Sequence, residues 1–413
     1  MDKDLENLLI QAKQASRHML NVDTETKNKA LIRISEALVE HKDDIIAANA
    51  LDLKNAKENH MSNAMQDRLL LNEQRIESIA KDVLKLTTLS DPVGDVIREI
   101  HRSNGLMIKQ VRVPIGVFGI SYESRPNVTV DIACLCIKSS NVCVLKGGKE
   151  AIHSNTVLTH IMQKSIENIL PKGTVNLIEN TDRSMVNQLI QANGYVDVVV
   201  PRGGKGLIDF VVKNASVPVI ETGAGNCHLY IDKDADMKKA IDISINAKIQ
   251  RPSVCNAIET ILVHQDIAPL YLPEMVKAFD GRVEIRGDEL TRKIIDCHEA
   301  TLQDYETEYD DYIVAIKVVD SLEKAMDHIY RYSTQHSECI VTENQQTADI
   351  FMNGLDSACV YHNASTRFSD GGEFGFGAEL GISTQKLHAR GPLALLEMTS
   401  FQYKIYGNGQ VRE

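Results

Sequence analysis

Through residues 1–90 the apolar positions fall at three- and four-residue steps: Leu5, Leu8, Leu9, Ala12 and Ala15, then Ala30, Leu31, Ile34, Ala37 and Leu38, then Ile45, Ile46, Ala48 and Leu51. That spacing gathers them on one helical face and predicts a run of amphipathic helices covering something else. Thr24-Glu25-Thr26 reads as a helix start, and Asp91-Pro92 ends the run, because proline lacks an N–H and disfavours helical geometry at the residue before it. The period then drops to two. Residues 96–102 and 106–113 alternate about Ser103-Asn104-Gly105 and predict a basic β-hairpin. The last run, 396–405, also alternates and is expected to join it. Such a hairpin is either a projecting arm that pairs with another subunit or a plain surface feature.

From residue 115 short apolar runs alternate with helix-period segments. Strands are expected at 115–121, 141–145, 175–178, 196–200 and 217–220, with helices at 126–138, 150–169, 182–192 and 205–212. A second series follows, with strands at 227–231, 258–263, 283–285, 312–319, 339–341 and 357–361 and helices at 235–248, 267–279, 288–297, 321–332 and 345–353. Alternation at this spacing means parallel sheets wrapped by helices, an α/β fold in two domains. Such sheets bind ligands beyond the carboxyl ends of their strands. Residues 362–392 are polar and glycine-rich and read as a functional loop.

Composition narrows the function classes. The 413 residues carry 45 basic and 57 acidic side chains, a net charge of −12, which argues against nucleic acid or an anionic membrane as the main partner. No apolar run spans a bilayer, and the charged start Met1-Asp2-Lys3-Asp4 carries no signal-peptide core. The eight cysteines show no disulfide framework and no CxxC pair, so a reducing compartment, the cytoplasm, is expected and no metal site.

One cysteine stands apart. In Lys248-Ile249-Gln250-Arg251-Pro252-Ser253-Val254-Cys255-Asn256-Ala257-Ile258-Glu259-Thr260, Pro252 stops the incoming helix and a polar turn presents Cys255 beside Arg251. Exposed backbone N–H groups and a guanidinium favour the nucleophilic thiolate. Against this stands the ordinary role of a free cysteine as a small buried hydrophobe. Three strand-to-helix turns carry further candidates. In Tyr122-Glu123-Ser124-Arg125-Pro126-Asn127, Pro126 suits the first helical position, which sets Asn127 in the first turn, either as a cap or as an oxyanion donor. Lys146-Gly147-Gly148-Lys149 and Pro201-Arg202-Gly203-Gly204-Lys205-Gly206 let backbone and cation approach a phosphate, though neither is a P-loop or G-x-G-x-x-G.

These motifs, with Glu221-Thr222-Gly223-Ala224-Gly225-Asn226-Cys227-His228 and Leu387-His388-Ala389-Arg390-Gly391-Pro392, occur in an order that resembles the aldehyde dehydrogenase superfamily, and within it the branch that reduces gamma-glutamyl phosphate. The Ser-Arg-Pro-Asn and Arg-Pro-Ser-Val-Cys-Asn segments differ from those of general aldehyde dehydrogenases. The resemblance implies a Rossmann-like cofactor domain (1–96 and 114–221), a catalytic domain (222–392) and an oligomerisation arm (97–113 and 393–413). It implies reduction of L-glutamyl 5-phosphate to glutamate 5-semialdehyde by NADPH, in proline synthesis, with a separate glutamate 5-kinase as functional partner and a homo-oligomer as the assembly. Cys255 would form a thioester, and Asn127 with the Cys255 N–H would hold the oxyanion. Lys146, Gly203 and Gly204 match cofactor contacts, with Ser124, Gly147, Gly148 and Arg202 in the same turns. Arg251, Arg367 and Arg390 are candidates for the substrate carboxylate, and Ser253 for substrate binding. Glu221 stands where hydrolytic members keep their general base; an acyl phosphate reductase must not hydrolyse its thioester, so Glu221 is either structural or a proton shuttle. Two rivals remain: a hydrolytic or CoA-acylating enzyme of the same fold, and a nucleotide-binding or assembly protein without catalysis.

Overall fold

Three of the early helices start at a side-chain acceptor. Asp2 accepts from the N–H groups of Asp4 and Leu5 ahead of Lys3–Met19, Asp23 from Thr26 ahead of Thr24–Glu40, and Asn72 from Arg75 ahead of Glu73–Thr88. The second helix is therefore capped by Asp23, one residue before the expected start signal, because its carboxylate answers an N–H left over in the first turn. The structure is a computed structural model and describes residues 1–412. Its backbone contacts divide the chain into two units: Met1–Thr222 with Gly375–Gly381 and the chain from Leu393 onward, and Gly223–Phe374 with Ile382–Pro392.

In the first unit the N-terminal helices cover a sheet and its helices, pinned by buried polar groups. Asp52, on Lys42–Glu58, accepts from the Ser154 N–H and hydroxyl at 2.8 and 2.6 Å. Lys27 pairs with Asp91 in the interior and donates to the Ser140 hydroxyl at 2.9 Å. The four-stranded sheet is parallel throughout, in the order Val175–Leu177, Val142–Gly147, Val117–Tyr122, Val198–Arg202. The expected strand at 217–220 is an isolated bridge from Val219 to Val199, extended by Ile220 N–H to Val199 carbonyl at 2.9 Å. The central strands are apolar and wholly buried on both faces, as a parallel sheet covered by helices requires.

The arm lies in this unit. Val96–His101 runs antiparallel to Met107–Pro114, and Thr399–Tyr406 pairs antiparallel on the other side of Met107–Pro114, Thr399 opposite Pro114 and Tyr406 opposite Met107. Its outer strand keeps Phe401, Tyr403 and Ile405 exposed at 49, 57 and 61%, all on one face by their two-residue spacing.

The second unit holds a seven-stranded parallel sheet in the order His298–Glu299, Glu284–Gly287, Ile313–Val319, Ile258–His264, Cys227–Ile231, Ser337–Val341, Cys359–His362. Its strand side chains alternate between two faces. Leu229, Ile231, Ile261 and Val263 pack with Ala240 and Tyr271, while Tyr230, Leu262 and Ile340 pack with Ile329 and Phe351. Several details depart from expectation. The helix foreseen at 288–297 is the short Glu289–Arg292, and the edge strand His298–Glu299 and helix Leu302–Glu306 were not foreseen; a two-residue edge strand carries too little periodicity to detect. The polar stretch 362–392 is not one loop: it holds the 3-10 turn Thr366–Phe368 and the strand Gly381–Ser383, and its last residues enter the strand Gly391–Leu393.

Candidate active site

In the second unit the helix Met237–Ile249 ends and the strand Ile258–His264 begins, with residues 250–257 turning between them. Pro252 closes off helical geometry, and the Ala257 N–H donates to the Val254 carbonyl at 2.9 Å, wrapping the chain around a half-buried Cys255. The Cys255 backbone is held from below. The buried Cys227 thiol donates to its carbonyl at 3.1 Å, and Gly225 packs so close that a Cβ there would stand 2.6 Å from Cys255 Cα and nearer still to its carbonyl.

The 3-10 turn Thr366–Phe368 is fastened to the same loop. The Thr366 hydroxyl donates to the Asn256 carbonyl at 2.6 Å, and the Asn256 amide donates to the Ser369 carbonyl at 2.9 Å. Arg367 donates to the Asn256 side-chain oxygen and, at 2.9 Å, to Gln250 Oε1. Burial and the Arg251 charge push the Arg367 guanidinium down, while Cys255, Asp370 and Glu373 pull it up. Arg251 is exposed and Ser253 half-buried in the turn itself. Arg390 is committed elsewhere: it donates to the Asp356 carboxylate at 2.7 Å and to the Asp356 carbonyl at 2.5 Å.

The first unit gathers the other candidates at the carboxyl ends of its strands. Strand order reverses at Val117–Tyr122, whose neighbours are Val142–Gly147 and Val198–Arg202, so a crevice forms where the following turns diverge. Ser124 takes φ +46°, and its N–H and hydroxyl donate to Glu150 Oε1 at 2.7 and 3.0 Å. Lys146 is buried and donates to the Gly147 carbonyl at 2.9 Å; burial lowers its ammonium, and Glu150 and Asp182 pull it back up. The Gly204 N–H donates to Glu123 Oε2 at 3.1 Å, and helix Lys205–Asn214 begins there without a side-chain cap. The buried Arg202 Nε finds no hydrogen-bond partner among the described residues. Uncapped N–H groups, a glycine turn, a buried lysine and an unanswered guanidinium nitrogen suit a dinucleotide phosphate.

Asn127 lies in the first turn of Pro126–Lys138, and its amide donates to Asp131 at 2.9 Å. Burial pushes the Asp131 carboxyl up to about 6, against the Asn127 bond. Glu221 is half-buried just past the Val219 bridge, next to Thr222, whose hydroxyl donates to the Pro201 carbonyl at 2.5 Å. The structure thus brings Cys255, Arg367, Arg251 and Ser253 together in one unit and Ser124, Lys146, Gly147, Gly148, Arg202, Gly203 and Gly204 around one sheet end in the other. Sequence reasoning gave no role to Gly225 or Asn256, whose contacts lie 30 residues on for Gly225 and more than 100 residues on for Asn256 and leave no local pattern.

The aldehyde dehydrogenase family model matches residues 1–291. A gamma-glutamyl phosphate reductase from Caldanaerobacter subterraneus subsp. tengcongensis is 53% identical over 405 residues, 97% of this chain and 98% of that protein. The crystal structure of a gamma-glutamyl phosphate reductase from Thermotoga maritima superposes with a TM-score of 0.96 at 48% identity, covering 100% of both chains. An acetylating aldehyde dehydrogenase from Geobacillus thermoglucosidasius shares the fold at TM-score 0.73 and 17% identity, over 100% of this chain and 98% of that one.

Proposed function

The chain belongs to the aldehyde dehydrogenase family and, within it, to the gamma-glutamyl phosphate reductases, and from that premise we propose that Cys255 carries the reduction of L-glutamyl 5-phosphate to glutamate 5-semialdehyde and phosphate, a step of proline biosynthesis. The observation that carries the assignment is the Cys255 turn: a half-buried thiol on a backbone held by Cys227 and Gly225, with the Arg367 guanidinium alongside.

The guanidinium favours thiolate over thiol. The thiolate attacks the acyl phosphate carbon, the carbonyl oxygen takes negative charge, and the Cys255 N–H is the proposed donor to it. The oxyanion collapses, the C–O bond to phosphate breaks and a thioester forms. A nicotinamide cofactor supplies the hydride. The thioester becomes a thiohemiacetal on Cys255, which expels the thiolate and frees the aldehyde. Arg251 and Arg367 are the proposed partners of the substrate α-carboxylate, with Ser253 in the same turn as Arg251. The Asp356 pairing of Arg390 supports a structural role for that residue instead. Glu221 is assigned no water-activating step, since hydrolysis of the thioester would waste the acyl group.

NADPH is the proposed cofactor, held by Lys146 and Arg202 with the glycines of both turns and Ser124. A separate glutamate 5-kinase would supply the acyl phosphate in the cytoplasm; no helix among the described residues is long and apolar enough to cross a membrane. Homo-oligomerisation is proposed through the arm, supported by the exposed apolar face of Thr399–Tyr406 and its unpaired edge. Quenching a reaction lacking NADPH and digesting the protein tests the nucleophile: a glutamyl adduct is expected on the peptide bearing Cys255 and absent in Cys255→Ala. An adduct elsewhere, or turnover by Cys255→Ala, would reject it.

A further inference from the structure

Behind the nucleophile turn lies a set of charges, Lys248 and Glu259 buried and Glu308 half-buried, that the acyl-transfer steps leave unused. Lys248, penultimate in Met237–Ile249, and Glu259, second in Ile258–His264, are both buried and pair at 2.6 Å. They stand at the two ends of loop 250–257, so the pair closes that loop at its base. Burial drives the Glu259 carboxyl upward, Lys248 pulls it back, Glu308 pushes it up again, and the Asp310 N–H opposes that.

The same acidic segment reaches Cys255 by a second route. Glu308 Oε1 accepts from the Gly225 N–H at 2.7 Å, and Gly225 is the residue packed against the Cys255 carbonyl. Between the two acidic residues, Tyr309 sets its ring 5.9 Å from the Lys248 ammonium and 5.3 Å from the Arg286 guanidinium. Its hydroxyl donates to Asp304 at 2.9 Å, and Asp304 pairs with Arg286 at 2.7 Å. Asn226, next to Gly225, donates to the carbonyls of Tyr305 and Tyr332 at 2.7 and 2.8 Å. Segment 304–310 is therefore fastened to the body of the unit and meets both stretches of chain that fix Cys255. Buried charged groups tolerate little rearrangement, because each lost partner leaves a desolvated charge. A turn tied to them inherits that stiffness.

We propose that Glu308, acting through Gly225, and the Lys248–Glu259 pair, acting through the ends of loop 250–257, are positioning residues that set the backbone of Cys255 for acyl transfer. The inference rests on Cys255 as the nucleophile and names what holds it.

Three substitutions test it. Glu308→Gln keeps an acceptor oxygen at the Gly225 N–H without the charge, Glu308→Asp keeps the charge but withdraws the oxygen by one methylene, and Glu308→Ala removes both. Each is read by kcat, by KM for the acyl phosphate, and by the rate of Cys255 alkylation by iodoacetamide across pH. Glu308→Ala and Glu308→Asp are expected to lose about tenfold or more in kcat and in the high-pH alkylation plateau, with KM within about twofold, and Glu308→Gln to stay within about threefold. Glu308→Ala behaving as the unmutated enzyme would overturn the proposal. So would Glu308→Asp spared and Glu308→Gln impaired, which would make charge, not the bond to Gly225, the active feature. Should Glu308→Ala not fold, the Asp and Gln pair decides. Turnover by Cys255→Ala would sink the nucleophile assignment, while alkylation still reads how Cys255 is held.

Discussion

Gly225→Ala asks how tightly the nucleophile is seated. The added Cβ would stand 2.6 Å from Cys255 Cα, where ordinary contact begins at 3.4 Å. The Cys255 Cα must therefore retreat by at least 3.4 − 2.6 = 0.8 Å, and its carbonyl, which lies nearer, by more. It cannot do so freely, because Cys227 holds its carbonyl and Asn256 is bolted to the 366–369 turn. A misplacement near 1 Å costs up to about 100-fold in rate, so kcat should fall about 10- to 100-fold, or about 1.4–2.7 kcal/mol of transition-state stabilisation. Overpacking should also cost about 1–3 kcal/mol of stability. The assay is NADPH oxidation with acyl phosphate generated in situ, beside thermal melting and iodoacetamide labelling of Cys255. A folded Gly225→Ala enzyme with kcat and labelling within twofold of the parent would refute the reasoning.

Other outcomes follow from the same geometry. Arg367→Gln should raise KM for the acyl phosphate by about tenfold or more through loss of a charge-assisted contact, whereas Arg390→Gln should lower the melting temperature through loss of Asp356 and leave KM unchanged; the reverse pattern would exchange their roles. His336 is buried, and burial pushes its imidazole down to about 4, against about 6.5 for an unfolded histidine. The native state thus declines a proton that the unfolded chain binds, so this stability is full above about pH 6.5 and falls away toward about pH 4, by about 3 kcal/mol in all. Urea unfolding at neutral and mildly acid pH should show a flatter dependence in His336→Gln than in the parent, and equal slopes would contradict it. Tyr403→Asp with Ile405→Asp should reduce the particle size in sedimentation, and an unchanged size would remove the arm from the assembly.

Much of this fold was legible because its signals are local. Asn104-Gly105 between alternating runs marked the hairpin, and strand-helix alternation marked both parallel sheets. Periodicity in 396–405 foretold the third arm strand, realised as Thr399–Tyr406. Caps were nearly so, with Asp23 one residue from the expected signal. What stayed hidden was long-range. Arg390 looked available for a substrate carboxylate because nothing near it in sequence announces Asp356. Glu259 read as an ordinary strand residue, though it pairs with Lys248 across the loop that holds Cys255. Gly225 sits in the motif Glu221-Thr222-Gly223-Ala224-Gly225-Asn226-Cys227-His228, but the need for glycine arises from Cys255, which the chain reaches only after a strand and a helix.

The central claim is acyl phosphate chemistry on Cys255, and the reverse reaction tests it most directly: NADP reduction by the purified protein with glutamate 5-semialdehyde, with and without inorganic phosphate. NADPH formation that requires phosphate is expected, because phosphate must release the thioester. NADPH formation at the same rate without phosphate would contradict the account and return Glu221 to the role of general base in a hydrolytic dehydrogenase.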